Sequence, residues 1–356
     1  MCNRHLVLDV VRDKLPPVLM LFTVTAFTLG QAPTGQVAYV QQIGDSQRQV
    51  CVLDVATGQE RTVSAGPWDG APVWSPDGSG LAFEQAGDGG AVRIRVVSAD
   101  GTPGPEIAHA ATANRAPAWS PDGKALAYRS GEGDACRIRV YDFAAGAETQ
   151  WGARDDAGQQ AVAYHRPAWE SATEIVAVGV RDDKAGRTAD LYTLEQDTST
   201  LVVQTRGGGM YVEWSPAPQV RTGTLAYESN DGGDREIFVV TPQRGVIDIS
   251  NHRAADWAPV WSPDGAWLAF ESFRGGARGI YKASPQRTVV ATIAADAAYD
   301  NWSPAWSPDG AWLAFVSTRS GKPGLYVCGA DGSDARAMTD HDAADLAPAW
   351  RPAVTK

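Results

Sequence analysis

The chain has 356 residues, a formal net charge of −11, 44% hydrophobic residues, 13 Trp, 37 Gly and 22 Pro. That acidic balance argues against a reader of phosphate backbones and against a polybasic contact with anionic lipid; it favours solubility and suits a basic partner. The Gly, Pro and Trp content points to many short strands and tight turns, not long helices.

In chain order, Arg4, Arg12 and Lys14 precede an apolar run from Leu15 to Leu29. The run is short for a membrane span and fits a signal h-region. Residues 1–32 are therefore expected to be a signal peptide or an N-terminal anchor. Residues 33–356 are then exported to a periplasmic, cell-surface or secreted location. Cys2, Cys51, Cys136 and Cys328 are too few and too scattered for a disulfide framework, and no CxxC suggests zinc. They read as buried or half-buried strand residues.

Three strands are expected at Gln36–Val40, Gln49–Val55 and Arg61–Ser64. A repeat follows. A strand ending in Trp recurs at Trp74, Trp119, Trp169, Trp214, Trp261, Trp306 and Trp350, with spacings of 45, 50, 45, 47, 45 and 44 residues. Four copies continue as W-S-P-D-G, from Trp74, Trp119, Trp261 and Trp306. Pro pre-sets the first corner of a turn, Asp tolerates the second, and Gly takes the positive φ that follows. Next comes an apolar strand such as Leu81-Ala82-Phe83 or Leu268-Ala269-Phe270. A β-branched or aromatic strand follows, such as Arg93–Val97 or Glu236–Val240, and then a short closing strand such as Val246–Ile249 or Thr288–Thr292.

Four strands per roughly 45 residues make one propeller blade. The fold class is therefore all-β, a β-propeller. The lone Trp350 strand at the end complements the three strands at the start, so N- and C-terminal strands are expected to share one blade and close a ring of seven. Six blades is the alternative, with the count weakest around Asp182–Arg187.

The copy Asp256–Ser272 (DWAPVWSPDGAWLAFES) resembles the repeats of TolB-type propellers, a WD40-like or PD40 family. Similar repeats occur in the propeller domains of prolyl-oligopeptidase-like peptidases and tricorn-like proteins. The resemblance covers about nine-tenths of the chain and implies the fold more strongly than a function. TolB proteins carry an α/β domain before a usually six-bladed propeller, and neither feature is read here. The G-x-S-x-G elbow of the peptidases is also missing from the sequence.

The residue three before each strand Pro, or its equivalent, is Asp or Asn in five repeats: Asp69, Asn114, Asp256, Asn301 and Asp345. Such side chains bond backbone amides and fix tight turns. The resemblance also places this loop at the central channel on the ligand side. The next position varies: Gly70, Arg115, His165, Met210, Trp257, Trp302 and Leu346. Variety on a repeated scaffold loop marks a binding surface, and Trp and Arg are common anchors. The candidate binding residues are therefore Asp69, Asn114, Arg115, His165, Met210, Asp256, Trp257, Asn301, Trp302 and Asp345, with the two Trp rings on an open patch.

No HxxxH or HExxH spacing relates the five His, so neither a metal nor another cofactor is expected. Glu84, Glu228 and Glu271 could serve as acid–base pairs, but one shared repeat position makes them structural or solvent-facing. The function expected is a non-catalytic exported scaffold that binds a protein or peptide. A propeller lyase or glycosidase acting on polysaccharide, and a propeller gate for a separate peptidase, are the alternatives. The chain is expected to be monomeric, to bind no nucleic acid, and to touch a membrane only through an uncleaved N-terminal segment.

Overall fold

The computed structural model describes residues 32–64, 66–109, 113–152, 163–183, 186–203, 213–214, 223–230, 233–241, 245–286 and 290–353. They form seven four-stranded antiparallel sheets. Blade 1 runs Ala344–Trp350, Gln36–Ile43, Gln47–Asp54, Glu60–Thr62 from inner to outer strand. Blade 2 is Asp69–Trp74, Gly80–Ala86, Val92–Ser98, Pro103–Ile107, and blade 3 is Asn114–Trp119, Ala125–Ser130, Arg137–Asp142, Ala147–Trp151. Blade 4 is Ala163–Ser171, Glu174–Asp183, Gly186–Leu194, Ser199–Val203, and blade 5 is Glu213–Trp214, Leu225–Ser229, Glu236–Thr241, Gly245–Asp248. Blade 6 is Asp256–Trp261, Leu268–Ser272, Gly279–Ala283, Val290–Ala294, and blade 7 is Asn301–Trp306, Trp312–Ser317, Gly324–Gly329, Arg336–Ala337.

Seven blades is thus the count, and the ends share blade 1 as expected, with Val37 opposite Trp350 and Gln42 opposite Ala344. The doubtful stretch around Asp182–Arg187 is the tip of blade 4's long hairpin, where Asp183 faces Gly186. The outer strand of blade 6 is described over Val290–Ala294, and the expected start at Thr288 lies outside the described residues. Residues 1–31 of the segment expected to be a signal peptide or anchor, Cys2 among them, also lie outside the described residues. Among the described residues no helix is long and apolar enough to cross a membrane. Cys51, Cys136 and Cys328 are free and buried.

Each W-S-P-D-G turn is built by its Ser as well as by the residues that sequence singles out. Ser75 Oγ donates to Asp77 Oδ1 at 2.6 Å and accepts from Gly80 N–H at 2.8 Å, and the turns at Ser120, Ser262 and Ser307 repeat this. Gly78 sits at φ 69°, in the left-handed region where a side chain is strained. The Ser bond is the largest influence holding the Asp77, Asp122 and Asp264 carboxyls below the usual range.

The core lies between blades. Leu53 and Tyr39 of blade 1 pack with Trp312 and Leu325 of blade 7, Leu126 and Tyr128 of blade 3 pack with Ile94 of blade 2, and like clusters fill the other junctions. The repeated Trp is part of this filling. Its indole also donates across the junction: Trp74 Nε1 to Ala349 O, Trp119 to Val73 O, Trp169 to Ala118 O and Trp306 to Val260 O, at 2.9–3.2 Å.

Candidate functional site

Inner strands of neighbouring blades pack on one another around the axis, so their first residues surround one mouth of the channel. Five of them carry D/N-x-x-P, and in the four at Asp69, Asn114, Asp256 and Asn301 the ladder slips between the first x and the residue after Pro, as between Trp257 and Val260. This bulge lets an edge strand hold a Pro, which has no N–H for the ladder, and it re-aims the residue at x. The residue before Pro takes a left-handed φ: 54° at Ala116, 49° at Arg166, 52° at Ala258 and Ser303, 48° at Ala347. A non-glycine residue held there costs about 1–2 kcal/mol, so something must hold it.

A carboxylate, buried at Glu228 and Glu271 and half-buried at Glu84, holds three of them from the preceding blade. Glu84 accepts from Ala116 N–H at 2.8 Å, Glu228 from Ala258 N–H at 2.7 Å, and Glu271 from Ser303 N–H at 2.8 Å. Their second oxygens take Arg115, Arg235 and Arg278 respectively. The glutamates are therefore structural, as their shared repeat position suggests. Burial pushes the Glu271 carboxyl up, with Arg278 the largest opposing influence.

The five Asx residues are buried fasteners, and each side chain makes a hydrogen bond inside the fold. Asp69 accepts from Gly66 N–H at 2.9 Å, Asn114 donates to Val92 O at 3.0 Å, and Arg274 donates to Asp256 at 2.7 Å. Asn301 accepts from Arg319 at 3.3 Å, and Asp345 from Leu325 N–H at 3.2 Å. They shape the mouth from inside the fold. Arg115 is exposed and His165 half-buried. Met210 lies outside the described residues.

Trp257 and Trp302 are half-buried, and the structure brings them together through a residue that sequence reasoning missed. The Arg278 guanidinium lies 5.2 Å from the Trp257 ring centroid and 5.5 Å from that of Trp302. Glu271 binds the same guanidinium. Phe273, 49% exposed, leans on Trp257 with ring centroids 5.1 Å apart. The result is an aromatic patch with a fixed, charge-balanced cation at its centre. The missed signal is a spacing: both Glu228–Arg235 and Glu271–Arg278 read E-S-x-x-G-G-x-R or its near match, seven residues apart. On the opposite face a cavity of about 380 Å³ opens between blades 7 and 1, lined by Ser307, Asp309, Trp312, Trp350 and Arg351.

A family model described as the PD40 TolB beta propeller domain matches residues 31–184. No curated protein sequence matches the chain. Among solved structures, TolB from Acinetobacter baumannii is 16% identical, with a TM-score of 0.58 over 89% of this chain and 67% of that one. The propeller domain of the trilobed protease from Pyrococcus furiosus is 14% identical, with a TM-score of 0.66 over 87% and 94% of the two chains. An oligogalacturonate lyase in complex with manganese is 16% identical, with a TM-score of 0.56 over 88% and 87%. At these identities the likeness to solved structures shows the fold alone.

Proposed function

We propose that this chain, a propeller whose residues 31–184 are TolB-type PD40 sequence, is a non-catalytic exported scaffold that binds a protein or peptide at the channel mouth. The observation that carries the reading is the patch of Trp257, Arg278, Trp302 and Phe273 on a rigid inter-blade frame. Aromatic and Arg anchors dominate binding energy at interfaces. Glu271 pre-positions Arg278, so little side-chain entropy is lost on contact. Export is supported by the basic residues Arg4, Arg12 and Lys14 ahead of the apolar run Leu15–Leu29.

The test is affinity capture from envelope extract with the wild type, a Trp257→Ala/Trp302→Ala variant checked for folding, and Lys124→Ala on the opposite face. The expected result is a partner retained by the wild type and by Lys124→Ala and lost by the double variant. Equal retention by all three would move the site elsewhere. Absence of any partner, with turnover of an oligosaccharide, would replace the scaffold by an enzyme.

A further inference from the structure

The repeat allows one position to be compared across blades. In blade 6, Phe270 on the second strand faces Tyr281 on the third, and the Arg274 guanidinium stacks over both at 5.1 and 5.0 Å while binding Asp256. Blade 7 repeats this with Phe315, Tyr326 and Arg319, which binds Asn301. An arginine is charged at every accessible pH, so these two anchors are permanent.

Blades 1 and 3 fill the same place differently. Tyr39 replaces the Phe and faces Cys51, and Glu60 on the outer strand lies opposite Leu53, two residues past Cys51. Tyr128 likewise faces Arg139, and Glu148 lies opposite Tyr141, again two residues further on. Both tyrosines donate to their glutamates, Tyr39 to Glu60 at 2.9 Å. Each cluster is completed by a histidine on the segment that leaves the preceding blade. His341 Nε2 lies 3.4 Å from Asp345 Oδ1 and 3.8 Å from Glu60 Oε2, and His109 Nδ1 meets Glu148. Imidazole is the side chain that by nature changes charge between about pH 5 and 8.

We propose that blades 1 and 3 carry acid-operated clamps, in which protonated His341 and His109 grip the outer-strand glutamates and tighten the junctions with blades 7 and 2. Acid thereby brings these blades to the cation-anchored state that Arg274 and Arg319 hold permanently in blades 6 and 7. Nearest His341 Nε2 is the Gln41 side-chain amide at 3.0 Å, with Asp345 and Glu60 beyond it; Tyr39 and Cys51 lie in the same cluster beside Glu60, and the adjacent Asp342 is taken by Lys322 at 3.0 Å. Burial raises the Asp345 carboxyl, and the bond from Thr339 and the nearby His341 oppose that rise. Around His109 stand Tyr128, Glu148 and Arg139, the last 3.5 Å from Glu148, while Glu106 of blade 2 is taken by Arg93 and Arg95. Arg139 already shares Glu148, so the blade 3 response is the smaller.

The test is hydrogen exchange on the whole chain at about pH 7.5 and about pH 5.5, corrected for intrinsic amide chemistry. Relative to Leu268–Ser272 and Trp312–Ser317, protection in Gln36–Ile43 is expected to rise on the order of tenfold at the lower pH, and in Ala125–Ser130 by less. A His109→Gln/His341→Gln variant is expected to lose this difference. An equal pH response in all four strands of the wild type would overturn the proposal, and so would its survival in the double variant. Should that variant not fold, the wild-type comparison still decides, with Glu60→Gln as the single change expected to abolish the blade 1 response.

Discussion

At the scale of single residues, the same chemistry carries different weight according to burial. Glu271 and Glu84 each tie the preceding blade to a left-handed backbone N–H of the next, yet the Glu271 side chain is 1% exposed and its Arg partner 31%, against 17% and 46% for Glu84 and Arg115. Glu271→Gln keeps an acceptor for Ser303 N–H but strands the Arg278 charge between two indoles. Breaking a buried pair from one side costs about 3 kcal/mol, whereas an exposed pair contributes under about 1 kcal/mol. Denaturant midpoints should therefore fall much further for Glu271→Gln than for Glu84→Gln. Equal shifts would show that burial does not make the Glu271 ion pair stronger than that of Glu84. Trp fluorescence of Glu271→Gln reports whether Arg278 keeps its place between the rings.

Between elements, the junctions are not equivalent. Trp306 donates its indole N–H to Val260 O at 3.1 Å, whereas the Trp350 Nε1 is buried without a hydrogen-bond partner among the described residues at the closing junction. Trp306→Phe removes a bond worth about 1 kcal/mol together with some packing, while Trp350→Phe removes packing and relieves an unsatisfied donor. Trp306→Phe should thus be the more destabilising by about 1 kcal/mol or more in equilibrium unfolding. If Trp350→Phe costs as much, the indole bond is not what distinguishes the junctions. Such differences were hidden in the sequence, where all seven tryptophans look alike. What was legible there was mostly local: the S-P-D-G turns and the L-A-F strands follow from turn chemistry and apolar patterning within a few residues, while the sharing of blade 1 by the two ends follows from counting strands along the repeat. The aromatic patch was half legible, through Trp257 and Trp302. Arg278 was not, because its place depends on a hairpin folding back toward an inner strand of the next blade. The Asx residues were legible as turn formers, but the burial that removes them from the open surface is a property of the assembled ring.

Across the whole molecule, two populations of carboxylates set opposite limits on pH. Asp77, Asp122 and Asp264 are held below their usual range by the Ser hydroxyls of their turns. Their folded pKa lies under the unfolded one, so the stability they contribute is present above roughly pH 4 and lost as pH falls through the folded value. Glu236 behaves oppositely. It is buried on the third strand of blade 5, and burial raises its pKa from 4.5 to about 7, against donation from Ser250 and His252 N–H. Between those values the folded state binds more protons than the unfolded one. Stability from this group is therefore full below 4.5 and disappears as pH rises toward 7. Asp345, also raised by burial, adds in the same direction at the closing junction. The melting temperature should accordingly peak in mildly acidic buffer and fall on both sides. Glu236→Gln keeps an amide oxygen for His252 N–H, turns its N–H toward Ser250 Oγ, which can accept, and removes the titration. It should flatten the alkaline limb and leave the acid limb, which belongs to the turns, unchanged. A melting temperature that rises steadily from pH 5 to 8 in the wild type would mean that Glu236 ionises freely in the folded blade, which would place its solvent access well above what the packing beside Ser250 allows.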